Sequence, residues 1–300
     1  MNGRTCGAAV GFIAVIMAFV GRSGAAPADV GTCNIRLPAA DYDEQFRRTT
    51  TAKQRHLLKS IEANDVNSFL SDISGMQKVD FSLPNKTTLM SVGVESGNPA
   101  IVEALLVAGT DPNRKDCNGW PALIYLEFGD KASVSLEDAN LVAIADLMIS
   151  HGALIAGKEN AIWRAHLLWL AANHGHAGLV NWLLAHGAHI DEEFNGDTAL
   201  WGAIEGNQVA TTRDLLERGA RPSGGSASSN TPLLEAINVG NPELVALLIA
   251  HGANVNERRA WGSPLSAAMG RRSRPTHSSD LQGPRDDEII KMLTKAGAIK

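Results

Sequence analysis

No catalytic signature is found in this chain of 300 residues. There is no Gly-x-Ser-x-Gly, no phosphate-binding glycine loop and no dinucleotide fingerprint, the short motifs that hold a nucleophile or a cofactor phosphate. His-Glu-x-x-His is missing too, and the cysteines are too far apart for a zinc knuckle. These absences predict no enzymatic activity and no cofactor. A basic excess is also lacking: 27 Lys and Arg stand against 32 Asp and Glu, for a formal charge of −5. That balance disfavours nucleic acid and anionic membrane surfaces, and mildly favours a basic partner. No stretch reaches the ~18–20 apolar residues that a membrane span needs.

The longest apolar run is short and sits at the start. Arg4 precedes Ala8–Val20, and Ala26-Pro27-Ala28 comes after it as an A-x-A cleavage site before Asp29. By length and order this is a secretory signal peptide over 1–28, with cleavage expected after Ala28. The expected location is the bacterial periplasm, or a secreted protein. Removing the signal takes away Arg4 and Arg22 and brings the formal charge to −7. It leaves two cysteines, Cys33 and Cys117. An exported protein with an even count permits a disulfide, which would pin an N-terminal arm (29–51) to the stretch around residue 117; two unrelated thiols are the alternative.

What the chain does have is a period. His251-Gly252-Ala253-Asn254-Val255-Asn256 has close copies at His186-Gly187-Ala188-His189-Ile190-Asp191 and His151-Gly152-Ala153-Leu154-Ile155, with shorter echoes at Gly219-Ala220 and Gly297-Ala298. The glycines at 152, 187, 219 and 252 are 35, 32 and 33 residues apart. A fixed interval near that length means stacked supersecondary units rather than one core. Upstream of each Gly-Ala lies more of the unit. The clearest copy runs Thr231-Pro232-Leu233-Leu234-Glu235-Ala236-Ile237, Gly240-Asn241, then Leu244-Val245-Ala246-Leu247-Leu248-Ile249. Others open at Thr88-Leu89-Met90-Ser91, at His166-Leu167-Leu168-Trp169 and at Thr198-Ala199-Leu200-Trp201.

Each mark has a physical reason. Thr before the first helical turn can cap it, and proline costs little there because that N–H has no intrahelical partner. Glycine ends the second helix because it accepts a left-handed backbone. Between them the apolar residues fall at helical spacing. Each unit is expected to be helix, turn, helix and a short extended finger. No unit can bury its own apolar face, so neighbours must stack.

These residues resemble the ankyrin repeat, with its Thr-Pro-Leu-His opening, Gly-His turn, leucine-rich second helix and closing Gly-Ala. The resemblance covers 52–300 in about seven units and implies an all-α ankyrin-repeat solenoid with short β-hairpin-like fingers. Two units carry insertions between their helices, over about Gly129–Asn140 and Gly270–Arg285. No copy keeps the histidine of the opening motif; Trp169 and Trp201 hold that slot in adjacent repeats. They read either as packing between repeats or as an aromatic patch that docks a partner. Losing the hydrogen bond costs about 0.5–1.5 kcal/mol, while a buried large side chain returns about 1.5–3 kcal/mol.

The fold moves the functional question from chemistry to recognition. Ankyrin families bind proteins through their fingers and inner helices, so the resemblance implies a protein partner. Trp and Arg dominate binding hot spots. Trp120, Trp169, Trp201, Trp261, Arg258 and Arg259 are therefore the candidate partner contacts. Arg271, Arg272 and Arg274 in the second insertion read as a solvated loop or as a contact with an acidic partner. His166, His174, His176, His186 and His189 cluster in one repeat. His151, His186 and His251 share one slot before Gly-Ala, where histidine suits a helix C-terminus, so no metal site is expected. The reading is a monomeric, non-catalytic periplasmic scaffold, with an inhibitor or immunity-type protector as one role. A His-rich metal-binding or enzymatic periplasmic protein is the alternative.

Overall fold

The computed structural model describes residues 48 and 50–300, apart from 75, 77–78, 84–86, 117–118, 128–136, 224–229, 259–261, 273–281 and 300. The signal and most of the arm lie outside the described residues, as do Cys33 and Cys117. The chain divides into two compact units, Met1–Leu154 and Ile155–Lys300.

Among the described residues of the first unit three helix pairs succeed one another. They are α1 (Ala52–Glu62) with α2 (Val66–Ser74), α3 (Leu89–Glu95) with α4 (Pro99–Val107), and a 3₁₀ helix (Ala122–Glu127) with α5 (Asp138–Ser150). The second unit holds four pairs: α6 (Ala161–His174) with α7 (Ala177–Ala185), α8 (Ala199–Glu205) with α9 (Val209–Glu217), α10 (Pro232–Val239) with α11 (Pro242–Ala250), and α12 (Pro264–Arg272) with α13 (Gln282–Lys295). A short 3₁₀ turn, Lys158–Asn160, leads into α6. Within the second unit α6, α8, α10 and α12 lie side by side, and α9, α11 and α13 form a second layer behind them. No helix among the described residues is long and apolar enough to cross a membrane.

The repeated residues do the same local work in each copy. Thr88, Thr198 and Thr231 cap α3, α8 and α10, each accepting the backbone N–H three residues on, from Ser91, Trp201 and Leu234. Asn98 and Asn241 cap the second helices α4 and α11 and also donate to Asn64 and Asn207 of the preceding repeat, at 2.6 and 2.7 Å. Such a cap is worth about 1 kcal/mol. Gly252 closes α11 with φ at +86°, and a Cβ there would meet nothing within 4 Å. Backbone handedness, not space, therefore requires the glycine. Between the caps, Ile101, Val102 and Leu105 in α4 and Leu244, Val245 and Leu248 in α11 are fully buried. Each such side chain contributes about 1.5–3 kcal/mol of burial.

A second set of contacts ties finger to finger. Asn113 donates to the Gly152 carbonyl and accepts from the Leu154 N–H, at 2.7 and 2.8 Å. Asn256 does the same with Gly297 and Ile299, at 3.1 and 2.8 Å. Asp191 holds the corresponding place and accepts from the N–H and guanidinium of Arg221. The first two clamps reach 41 and 43 residues along the chain and the third reaches 30. The longer reaches belong to the two repeats with insertions, so the added residues leave the frame unchanged. The undescribed segments 128–136 and 273–281 fall between the two helices of those repeats.

Candidate protein-binding face

Each unit carries its own candidate contacts on first helices and fingers: Trp120 in the first unit, and Trp169, Trp201 and Arg258 in the second. In the first unit the finger that leads into the 3₁₀ helix is organised by Asp116, which is buried. One carboxylate oxygen accepts the Trp120 N–H at 2.8 Å and the other accepts the Tyr125 hydroxyl at 2.6 Å. The Asp116 N–H donates in turn to the Trp120 carbonyl at 3.0 Å. Burial and the adjoining Asp116 carboxylate push the Tyr125 hydroxyl far above its usual range, which keeps it a donor. Trp120 is thereby fixed by its backbone while its ring stays half-exposed, tilted at 59° to that of Tyr125.

In the second unit the centre is the finger over 189–197. Phe194 and Asp197 exchange two backbone hydrogen bonds, at 2.9 and 3.0 Å, around the turn Asn195-Gly196. Both turn residues have positive φ, 53° and 89°, the geometry that a two-residue hairpin needs and that Asn-Gly supplies. On one side Arg164 of α6 grips the Glu192 carboxylate with two hydrogen bonds, at 2.9 and 2.5 Å. The same guanidinium donates to the Ile155 carbonyl at 3.0 Å. On the other side Arg221 holds Asp191 at 3.0 Å and reaches Glu193 at 4.0 Å. Paired two-point contacts from a planar guanidinium fix orientation as well as position. Underneath, the ring of His166 stacks on Phe194. Burial depresses the His166 imidazole to about 4, so it is neutral at physiological pH.

The two tryptophans of the opening slot differ in exposure. Trp169 is 6% exposed, whereas Trp201 is half-buried. The cause is close packing of α6 on α8 at Gly202, where a Cβ would stand 2.7 Å from the Trp169 carbonyl oxygen and 3.1 Å from its indole. Of the other occupants of that slot, Ser91, Ile124 and Leu234 are buried and Ser266 is exposed. Trp201 is the large apolar side chain that this position turns toward solvent. Arg258 is exposed; Arg259 and Trp261 lie outside the described residues.

The rings of His174 and His176 meet edge to face, with centroids 6.0 Å apart. His151 and His186 cap their helices through Nδ1 against the carbonyls of Leu147 and Trp182, at 2.9 and 2.8 Å. His186 also stacks on Trp182. In the second insertion Arg271 donates to Asp286 at 2.8 Å and to the Asn238 carbonyl, and Arg272 pairs with Asp287 at 2.6 Å. Arg274 lies outside the described residues. The pairs Arg164–Glu192, Asp116–Tyr125 and Arg271–Asp286 are invisible to spacing rules, because each depends on where a loop places its backbone.

With this geometry in place, comparison with known proteins is specific. Residues 167–259 match the family model for ankyrin repeats, in three copies. The chain is 37% identical over 107 residues to the ankyrin repeat and SOCS box protein 11 of Danio rerio, covering 34% of this chain and 36% of the relative. It is 28% identical over 181 residues to the human SH3 and multiple ankyrin repeat domains protein 2, covering 59% of this chain and 9% of the relative. To the ankyrin repeat and KH domain-containing protein mask-1 of Caenorhabditis elegans it is 25% identical over 166 residues, covering 55% and 6%. The chain thus spans about a third or less of the length of these relatives. Among solved structures, the human ASB11 ankyrin repeat domain superposes with a TM-score of 0.63 at 22% identity, over 81% of this chain and 98% of that one. An ankyrin repeat domain from Acinetobacter baumannii gives 0.53 at 27% identity, over 70% and 98%. The chain carries ankyrin repeats and folds as an ankyrin-repeat solenoid, the architecture of a protein-interaction scaffold.

Proposed function

We propose that this protein is a non-catalytic scaffold of the bacterial periplasm that holds a partner protein against its fingers and first helices, in an inhibitory or immunity-type protective role. The observation that carries the reading is the 189–197 finger. Ion pairs with Arg164 and Arg221 hold it from both sides, and half-exposed Trp201 stands four residues past its end on α8. A rigid finger beside an accessible tryptophan lowers the ordering cost of binding and supplies a hot-spot residue. The periplasmic part rests on the signal-like segment 1–28 and the A-x-A site.

Two experiments test it. Capture from a periplasmic extract of the source cells should return one saturable partner, lost on Trp201→Ala with the helical circular dichroism unchanged. Equal capture by the variant would overturn the role of this face. Fractionation with N-terminal sequencing should find a periplasmic chain starting at Asp29. A cytoplasmic chain retaining Met1 would overturn the location without touching the binding face.

A further inference from the structure

The finger tip carries a chemically reactive pair, Asn195-Gly196. We propose that Asn195 is a site of spontaneous deamidation, a slow covalent modification that rewrites the 189–197 finger. The Gly196 amide nitrogen, on losing its proton, attacks the Asn195 side-chain Cγ. A five-membered succinimide closes and ammonia leaves. Water then opens the ring at one of its two carbonyls and leaves either aspartate or isoaspartate. Water is the only co-reactant, and no electrons change hands.

The sequence holds three Asn-Gly pairs, Asn2-Gly3, Asn118-Gly119 and Asn195-Gly196, and the last is the one whose asparagine lies among the described residues. Asn195 is exposed. The next residue is glycine, which offers no side chain to hinder ring closure. Two other asparagines share its left-handed backbone, Asn64 at φ 52° and Asn207 at φ 57°. Both are followed by residues with side chains, Asp65 and Gln208. Left-handed conformation alone is therefore not the criterion. The hairpin also sets the rate. While Phe194 and Asp197 hold their mutual hydrogen bonds, the backbone of the turn between them is fixed. Ring closure waits for a local opening.

The product matters because of its surroundings. Either acid adds a negative charge to a nine-residue segment that already holds Asp191, Glu192, Glu193 and Asp197. Isoaspartate also inserts one carbon into the backbone between Phe194 and Asp197, the stretch spanned by their two hydrogen bonds. The hairpin loses register, and Phe194 is the ring that rests on His166. A modified chain therefore presents a different finger, whatever its partner.

The test needs no partner. The purified chain is incubated at mildly alkaline pH and 37 °C, beside the same chain unfolded in urea. The peptide containing residue 195 is then followed by mass spectrometry and isoaspartate detection. The folded chain should convert roughly tenfold more slowly than the unfolded one, because one local opening must come first. Isoaspartate should be the main product, conversion should accelerate with hydroxide, and Asn195→Gln should remove the shift. A residue-195 peptide still intact in the folded chain after about ten half-lives of the unfolded one would overturn the proposal, since local opening then never exposes the site.

Discussion

The imidazole of His166 lies flat against the ring of Phe194, with 3.8 Å between centroids and 7° between planes. This stack joins α6 to the finger, and its buried imidazole titrates. Burial lowers the His166 pKa to about 4 from an ordinary value of 6.5. Above 6.5 the ring is neutral in both folded and unfolded chains and pH has no effect through it. As pH falls from 6.5 to 4, the unfolded chain takes up a proton that the folded chain resists. Stability is lost across that window and the loss is complete below 4. The full loss is on the order of 3 kcal/mol. Urea midpoints between pH 7.5 and 4.5 should fall in the parent and fall less in His166→Phe. Parallel curves for the two chains would refute the assignment.

Gly202 and Gly270 make a matched pair. Both lie in first helices, α8 and α12, yet a Cβ at 202 would meet the Trp169 backbone while one at 270 meets nothing within 4 Å. Gly202→Ala should therefore destabilise by about 1–3 kcal/mol through overpacking. Gly270→Ala should stabilise by about 0.5–1 kcal/mol through helix propensity. Thermal denaturation of the two variants checks the opposite signs.

The ion pairs at the base of the second insertion are unequal. Asp286 is almost fully buried and its partner is Arg271, whereas Arg272 and Asp287 are both exposed. Arg271→Met leaves a buried carboxylate without its cation and should cost about 3 kcal/mol or more. Arg272→Met breaks a solvated pair and should cost under about 1 kcal/mol. Similar losses in chemical denaturation would contradict this account.

Thr212 occupies a slot that holds Val102, Val180 and Val245 in other repeats. It is fully buried, and its hydroxyl has no hydrogen-bond partner among the described residues. Thr212→Val removes that orphan at nearly constant shape and should stabilise by about 1 kcal/mol. An unchanged or lower urea midpoint would count against it.

Much of this was legible in the sequence for a physical reason: the repeat marks are local. Thr231 caps three residues ahead and Gly252 needs its handedness whatever surrounds it, so each can be read without knowing the fold. The insertions stood out because the Gly-Ala phrase kept its place on either side of them. What stayed hidden depends on packing between repeats. Trp169 and Trp201 share a slot and looked equivalent, yet only the approach of α6 to α8 at Gly202 decides that one is buried and the other half-exposed. Arg271 and Arg272 read as charge on a loop, since nothing in their spacing shows that Asp286 and Asp287 stand beside them.

The central claim is that Trp201 and the finger beside it form the partner-binding face, and the most direct measurement is comparative capture. The parent, Trp201→Ala and Trp120→Ala are immobilised at equal density, and bound protein from periplasmic extract of the source cells is titrated to saturation. One partner should bind the parent at a fixed ratio, weakened at least about tenfold by Trp201→Ala, the loss expected of a hot-spot residue. Undiminished capture by Trp201→Ala would contradict it.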